Sequence, residues 1–212
     1  MKTTFSLTAS HLRNLTVAVV VLIWHQSMSG GGFEDKIVAS GMVFTQPEGY
    51  QVVAPRPNRD VQYDYALRHP TEKYEIRYSV EPISKQDVEA FKKSSGTKEK
   101  GAAVVTDPNQ MFEAKFHAIA LNIAAKADNI GPVQHFQPEA AKAEFGADDG
   151  MIVPMQIGSS FGDGFKLCLL VAIHKTDVAD AFIFHLFDDP NEMKKQGQHT
   201  VFDALKFAPE KK

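Results

Sequence analysis

Two consecutive stretches of alternating apolar and polar residues constrain the fold of this chain more than any other feature. The apolar positions are Val61, Tyr63, Tyr65 and Leu67 in the first stretch and Tyr74, Ile76, Tyr78 and Val80 in the second. Because successive side chains of a strand point to opposite faces, this pattern predicts an antiparallel hairpin with one buried, largely aromatic face. We expect the other face, which carries Arg68, Glu75, Arg77, Ser79 and Glu81, to be exposed to water.

The tyrosines of this hairpin are candidate binding residues. All five tyrosines of the chain lie between residues 50 and 78, and four of them are on the hairpin. Tyrosines at such positions most often belong to a core, but they line a pocket where an opposing helix leaves a groove. We therefore predict that a ligand or partner contacts Tyr63, Tyr65, Tyr74 and Tyr78.

Further strand-like segments occupy the second half of the chain. They cover residues 133–136, 141–145, 151–157, 165–175 and 181–187. Residues 165–173 and 181–187 are apolar at both alternating positions, which is typical of central strands covered on both faces of a sheet.

Three helices are predicted from their starting residues. Ser84, with Asp87 three residues later, predicts a helix over about 85–93. Asp107 before Pro108 predicts a second helix that reaches about Asp128. Asp189 before Pro190 opens a last helix. The second helix has an apolar face made of Phe112, Phe116, Ile119 and Ile123, and the last has Phe202, Leu205 and Phe207 near its end.

This order of elements predicts an α+β fold, in which a mostly antiparallel sheet is flanked by helices within a single domain over residues 41–208. A further comparison rests on the opening Phe44…Gly49-Tyr50…Pro55, the central helix, the late three-strand meander and the terminal helix with VFDALKF at 201–207. Over about residues 40–208 this order resembles the PsbP-like α/β/α sandwich family, which includes the photosystem II extrinsic PsbP protein and the Ran-binding Mog proteins. The resemblance implies a binding or assembly role without a shared active site.

The N-terminal segment has the composition of an export signal. Lys2 and Arg13 precede a run over 15–24 that is apolar except for Thr16, and the small residues Ser27 and Ser29 follow. This order predicts a signal peptide over 1–29 and a mature protein in the periplasm or secreted from the cell. An uncleaved membrane anchor is the alternative, but this ten-residue run falls short of the about 20 residues needed to span a bilayer. We expect residues 30–40 to form a flexible lead and 209–212 a charged tail.

Charge and cysteine content exclude several classes of function. Removing the signal leaves 21 basic residues against 26 acidic ones, a net charge of −5. A mildly acidic domain has no electrostatic reason to bind nucleic acid or an anionic membrane. Cys168 is the only cysteine, so the chain has no internal disulfide, and its apolar surroundings in sequence predict an inert core thiol.

Two motifs have catalytic or metal-binding spacing but lack the rest of the site that such chemistry requires. Residues 158–162 match G-x-S-x-G around Ser160. A nucleophile elbow needs a strand before the serine and a helix after it, and here another strand-like run follows, so we expect a loop. Glu113 and His117 lie four residues apart on the central helix and supply only two of the four ligands that structural zinc needs.

His174 and His185, on the two apolar strands, are the remaining candidates for chemistry. With Asp177 and Asp188 nearby, they supply half of a metal or proton-transfer site if the strands bring them together. The alternative is one strand-end histidine in solvent and one hydrogen-bonded histidine in the core. We interpret the acidic pairs Asp148-Asp149 and Asp188-Asp189 as turn residues, because a calcium loop needs more ligands at defined spacing.

These observations favour an exported, non-enzymatic binding or accessory protein. We expect its partner to be another protein or a small ligand, with no cofactor, no nucleic acid and no stable membrane span after cleavage. One alternative is a small hydrolase or metal-dependent enzyme that uses His174, His185 or Ser160. Another is a carrier that holds a small apolar ligand between the sheet and the helix of Phe112 and Phe116.

Overall fold

The computed structural model describes residues 32–95, 105–196 and 201–209. The strands of these residues are β1 (Met42–Phe44), β2 (Gln51–Val53), β3 (Tyr65–Arg68), β4 (Tyr74–Pro82), β5 (Gln134–His135), β6 (Asp149–Gln156), β7 (Leu167–Lys175), β8 (Ala179–Phe187) and β9 (Leu205–Phe207). The helices are α1 (Phe33–Ala39), α2 (Lys85–Ser95), α3 (Met111–Ile123), α4 (Pro138–Phe145), α5 (Ser159–Gly162) and α6 (Pro190–Gln196).

The predicted α+β fold with a mostly antiparallel sheet is confirmed. Seven strands form one sheet in the order β2-β3-β4-β8-β7-β6-β5, and every adjacent pair is antiparallel. The long strands β4, β8 and β7 lie at its centre, and β8 is buried along its whole length. The prediction that the two apolar segments are central strands covered on both faces is therefore confirmed.

Different elements cover the two faces of the sheet. On one face, α1, β1, α4, β9 and Val201 pack against alternate residues of β4, β8 and β7. We call this the α1 face. On the other, which we call the α3 face, α3 and the short α5 pack against the intervening residues. Each face buries its own apolar cluster, so the sheet separates two cores.

The tyrosine hairpin forms, but its second face is not exposed. β3 and β4 pair with Tyr65 opposite Tyr78 and Arg68 opposite Glu75. Glu75 and Arg77 are each only 2% exposed, which contradicts the prediction of a solvated face. The reason is tertiary: β4 pairs with the central β8, and Tyr63 and Phe161 lie over the Arg77 side chain. Val61 and Tyr63 precede β3 rather than belonging to it.

Two segments adopt a different secondary structure from the predicted one. Residues 141–145, predicted as a strand, are in helix α4, which has a proline in its first turn and ends at Gly146 in the left-handed region (φ 62°). Leu205 and Phe207, predicted near the end of the last helix, belong to β9, opposite Phe44 and Met42 of β1. That pairing joins the two ends of the domain and leaves no local signal in the sequence.

The predicted flexible lead at 30–40 contains helix α1, so this expectation is wrong for its described part. Phe33 is buried, and its ring stacks on Tyr65 with centroids 4.6 Å apart. The predicted helix start at Asp107 is a 3₁₀ turn over Pro108–Gln110 that leads directly into α3, and the Asp107 carboxylate accepts the Asn109 backbone N–H at 2.9 Å. Helix α3 ends at Ile123, earlier than predicted, because the chain becomes extended at Ala124.

The start of α2 is confirmed, since the Ser84 hydroxyl accepts the Asp87 backbone N–H at 3.4 Å. The predicted signal peptide at 1–29 and residues 210–212 of the predicted tail lie outside the described residues. Among the helices of the described part, none is both long enough and apolar enough to cross a membrane.

Candidate functional site

The four candidate tyrosines do not share one site. Tyr65, Tyr74 and Tyr78 lie on the α1 face, whereas Tyr63 lies on the α3 face. The Tyr74 hydroxyl is 3.0 Å from Nδ1 of His185. Burial raises the pKa of Tyr74 and of Tyr78, so both phenols are neutral core groups. Of the four, it is Tyr63 that borders an open cavity.

That cavity is a cleft of about 230 Å³ at the edge of the sheet, lined by residues 53–57, Tyr63, Arg68 and Glu75. We call it the edge cleft. Pro55 and Pro57 restrict the backbone of the lining segment just after β2. The Tyr63 hydroxyl accepts the Arg56 backbone N–H at 2.8 Å, which joins the segment to the opposite wall. These contacts define the shape of the cleft.

The turn between the two walls is also held by hydrogen bonds. The side-chain oxygen of Asn58 accepts the backbone N–H groups of Asp60 at 3.0 Å and Val61 at 2.9 Å. Arg56 forms an ion pair with Asp163, the residue that ends α5 in a left-handed conformation (φ 48°). The loop therefore has fixed contacts at both ends and to α5.

The wall of the edge cleft contains a buried ion cluster. One oxygen of Glu75, Oε1, accepts Nε–H of Arg77 at 2.7 Å, and Oε2 accepts Nε–H of Arg68 at 2.7 Å. Nη2 of Arg68 also donates to Oε2. Two guanidinium groups thus share one carboxylate. Arg77 and Glu75 are each 2% exposed, whereas the Arg68 side chain is 37% exposed and reaches the cleft.

Arg77 is fixed on several sides. Its guanidinium carbon lies 4.8 Å from the ring centre of Tyr63 and 4.9 Å from that of Phe161. Both distances are within the range of cation–π attraction. Nη1 donates to the carbonyl oxygen of Phe161, while Nη2 has no hydrogen-bond partner among the described residues. The cation next to the edge cleft therefore has unused donor capacity.

His174 and His185 do not come together. They lie on opposite faces of the sheet, because β7 and β8 pair with His174 opposite Asp180 and Leu169 opposite His185. The hypothesis of a joint metal or proton-transfer site is therefore wrong. His185 is the hydrogen-bonded core histidine of the alternative interpretation, and burial lowers its pKa to about 3.

His174 belongs to a second buried cluster, and not to the solvent as the alternative interpretation expected. Its Nδ1 is 2.7 Å from Oδ1 of Asp180, and Lys115 donates to Oδ2 of the same carboxylate at 2.8 Å. Lys115 also lies 2.9 Å from Glu81. Burial alone would lower the pKa of Lys115, but the hydrogen bonds to Asp180 and Glu81 outweigh it and raise the pKa. Phe112 stacks on His174 with centroids 5.1 Å apart and covers the cluster.

The other sequence candidates occupy ordinary structural positions. Ser160 is exposed in the single turn of α5, a much shorter helix than a nucleophile elbow requires. Glu113 and His117 face each other at 3.7 Å on the surface of α3. Cys168 is fully buried, and burial raises the pKa of its thiol. Within the described ranges, no three His, Cys, Asp or Glu side chains are grouped to hold a metal.

Asp148, Asp188 and Asp189 lie in turns, as interpreted from the sequence, whereas Asp149 is the first residue of β6. Asp148 and Asp149 accept backbone N–H groups of Thr176 at 3.0 Å and Gly150 at 2.7 Å. Asp188 accepts the backbone N–H of Lys166 at 3.0 Å, and Asp189 that of Asn191 at 2.9 Å.

The space between the sheet and α3, which was expected to hold an apolar ligand, is occupied by core side chains, since Phe112, Phe116 and Ile123 pack into the α3-face cluster.

Sequence reasoning missed Arg68, Glu75 and Arg77 as site residues, because the alternating pattern placed them on a solvated face. The two segments that are apolar on both faces could have indicated this. A hairpin that pairs with a strand covered on both faces is itself covered on both faces.

No protein-family profile matches this chain, and a search of the curated proteins finds no significant match.

Proposed function

We propose that this protein is an exported, non-enzymatic binding protein and that the edge cleft holds its ligand. The observation that carries this proposal is the cleft itself, in which a cavity of about 230 Å³ adjoins a buried cluster of charged side chains. Binding sites in proteins are concave and combine apolar walls with a few fixed polar groups. Here Val53, Pro55 and Pro57 supply apolar wall, and Tyr63 and Arg68 supply the polar groups.

The side chains of the cleft favour binding over acid–base catalysis. Arginine keeps its proton at all physiological pH values, so Arg68 and Arg77 do not transfer protons. Both oxygens of Glu75 already accept hydrogen bonds from these two guanidinium groups. Charged groups held in this way orient and neutralise a ligand, and they have no role in moving its protons.

The proposed location rests on the N-terminal sequence. Lys2, Arg13, the apolar run at 15–24 and the small residues before Gly30 have the order of a secretory signal. We propose that the mature protein works in the periplasm or outside the cell. The order of elements along the chain resembles that of PsbP-like domains, and this analogy also supports a binding role.

Native mass spectrometry of the protein recovered from its extracytoplasmic fraction tests this proposal. Ala54→Trp puts a large ring into the edge cleft, and Ala114→Trp makes the same change at an exposed position on α3. We expect a small-molecule mass on the unaltered protein and on Ala114→Trp, and its loss from Ala54→Trp. A ligand retained equally by both variants contradicts the cleft, and recovery of uncleaved protein from the cytoplasm alone contradicts the location.

Signal cleavage has a simple optical measure. Trp24 is the only tryptophan of the chain and lies within the predicted signal. Cleavage after Ser29 therefore gives a protein whose ultraviolet absorbance comes from tyrosine alone. A tryptophan signature in the exported protein would indicate that the segment is retained.

A further inference from the structure

The charge balance at the edge cleft indicates the chemical class of its ligand. Two guanidinium groups, Arg68 and Arg77, share the single carboxylate of Glu75, which leaves one positive charge in excess. The third arginine of the cleft, Arg56, is already paired with Asp163. We infer that the ligand of the edge cleft is a small organic carboxylate, an inference that rests on the proposed binding function of this cleft.

The free hydrogen-bonding groups around the cleft point to a ligand that accepts hydrogen bonds. The Tyr63 hydroxyl oxygen accepts the Arg56 backbone N–H, so its own proton remains to be donated. Arg68 has five N–H bonds, of which those on Nε and Nη2 contact Glu75. The acceptor oxygens of Glu75 are both engaged. A carboxylate supplies two acceptor oxygens in the spacing that a guanidinium matches.

Arg77 is the positioning residue of this site. It is 2% exposed and held between the rings of Tyr63 and Phe161, so its charge does not move into solvent. Its contact with Oε1 of Glu75 fixes the carboxylate, and the carboxylate in turn fixes Arg68. Arg77 does not itself line the cleft, and it acts there through Glu75 and Tyr63, which do.

The remaining wall distinguishes an organic anion from an inorganic one. Val53, Ala54, Pro55 and Pro57 line the cleft beside Arg68 and present mostly carbon atoms. A cavity of about 230 Å³ is smaller than the usual site of a drug-sized molecule, which starts at about 300 Å³. A ligand of the size of benzoate fits this cleft, because its apolar ring contacts the carbon atoms of the wall and its carboxylate contacts Arg68.

Titration of the purified exported protein with benzoate, benzamide and inorganic phosphate tests the inference. Ligand-observed NMR and calorimetry at low salt give the affinities. We expect benzoate to bind at least about tenfold more tightly than benzamide, its uncharged isostere, because the amide lacks the charge-assisted contact with Arg68. We also expect benzoate to bind more tightly than phosphate. Equal affinities for benzoate and benzamide, or tighter binding of phosphate, overturn the inference.

Matched variants locate the effect. Arg68→Gln should weaken benzoate about tenfold, whereas Arg59→Gln, the same change at an exposed position of the adjoining loop, should leave it unaltered. Arg68→Lys keeps the charge and should restore part of the loss. Tyr63→Phe should also weaken benzoate, because it removes the hydroxyl proton that the carboxylate accepts. Equal effects of the changes at 68 and 59 would overturn the inference.

The Ala54→Trp comparison separates this inference from the function on which it rests. If benzoate does not bind but Ala54→Trp still removes a natural, uncharged ligand, the inference of a carboxylate ligand is wrong and the proposal that the edge cleft binds a ligand stands. If Ala54→Trp removes no ligand and benzoate does not bind, both the carboxylate inference and the proposed binding function of the edge cleft are wrong.

Discussion

The α3 face of the sheet buries two carboxylates, and each accepts hydrogen bonds from two basic side chains. Glu75 holds Arg68 and Arg77, while Asp180 holds Lys115 and His174. Glu75 pairs with Leu186 and Glu81 with Asp180, so the two clusters lie six residues apart along β4, about 20 Å. They differ in what covers them. Phe112 of α3 stacks on His174, whereas Arg68 faces a cavity.

The two clusters also differ in their balance of charge. In the Asp180 cluster, Lys115 lies between two carboxylates, Asp180 and Glu81, so the cluster has no excess of fixed positive charge. The Glu75 cluster contains two arginines, which remain charged, and so keeps an excess positive charge. The Asp180 cluster ties α3 to the sheet, and we propose that a ligand neutralises the excess charge of the Glu75 cluster.

Removal of each carboxylate should give the largest difference between the clusters. Glu75→Gln leaves Arg77 buried and without a counter-ion, and we expect a loss of about 3–5 kcal/mol in the free energy of unfolding. Asp180→Asn should cost less, about 1–3 kcal/mol, because Lys115 is one-third exposed and keeps Glu81 as a partner. Urea unfolding measures both. An equal or larger loss for Asp180→Asn would contradict the distinction.

Acid should destabilise the protein through a third buried polar group, His185, which lies on the α1 face of the sheet. Burial lowers the pKa of His185 to about 3, against 6.5 for the free side chain. The unfolded state therefore binds a proton that the folded state rejects, and stability falls as the pH drops from about 6.5 towards 3, by about 1.4 kcal/mol per pH unit. His185→Gln should reduce the slope by about one proton. An unchanged slope would mean that His185 is not the group that titrates.

The two clusters should also differ in their effect on ligand affinity, by a smaller free energy than in unfolding. Arg68→Gln should weaken benzoate by about 1.4 kcal/mol, which is tenfold. Lys115→Gln changes the same charge in the covered cluster and should leave the affinity unaltered. Calorimetric titration of the two variants measures this. If Lys115→Gln weakens benzoate as much, the effect is one of overall charge rather than of the edge cleft.

The smallest effect should come from an ion pair outside both clusters. Glu113 and His117 lie on the exposed side of α3 with 3.7 Å between Oε1 and Nε2. Solvent screens such a pair, so we expect His117→Ala to change the free energy of unfolding by less than about 0.5 kcal/mol. A larger loss in thermal or urea unfolding would show that burial does not account for the difference between the clusters.

Local patterns were enough to predict the α+β class, the tyrosine hairpin and the two central strands. Periods of two and strong helix starts such as Asp107-Pro108 arise from near neighbours, and tertiary contacts reinforce them here. The α4 segment failed because alanine-rich residues fit a short strand or a helix, and Pro138 and Gly146 determine the outcome.

The candidate site was harder to predict because it depends on long-range contacts. Arg77 lies opposite Phe184 of β8 and contacts the carbonyl oxygen of Phe161, 84 residues away in the chain. No spacing within the hairpin encodes those partners. Tyr63 was found from its type and position, but its separation from Tyr65, Tyr74 and Tyr78 follows from the chain leaving the strand before Tyr65.

Protein-observed NMR during a benzoate titration tests the central claim most directly. The claim is that the Glu75 cluster binds a ligand and the Asp180 cluster does not. We predict saturable shifts of the Arg68 Nε–H and Tyr63 ring resonances, with no shift at Phe112, Lys115 or His174. Shifts centred on His174 and Lys115, or a titration that leaves Arg68 unchanged, would contradict it.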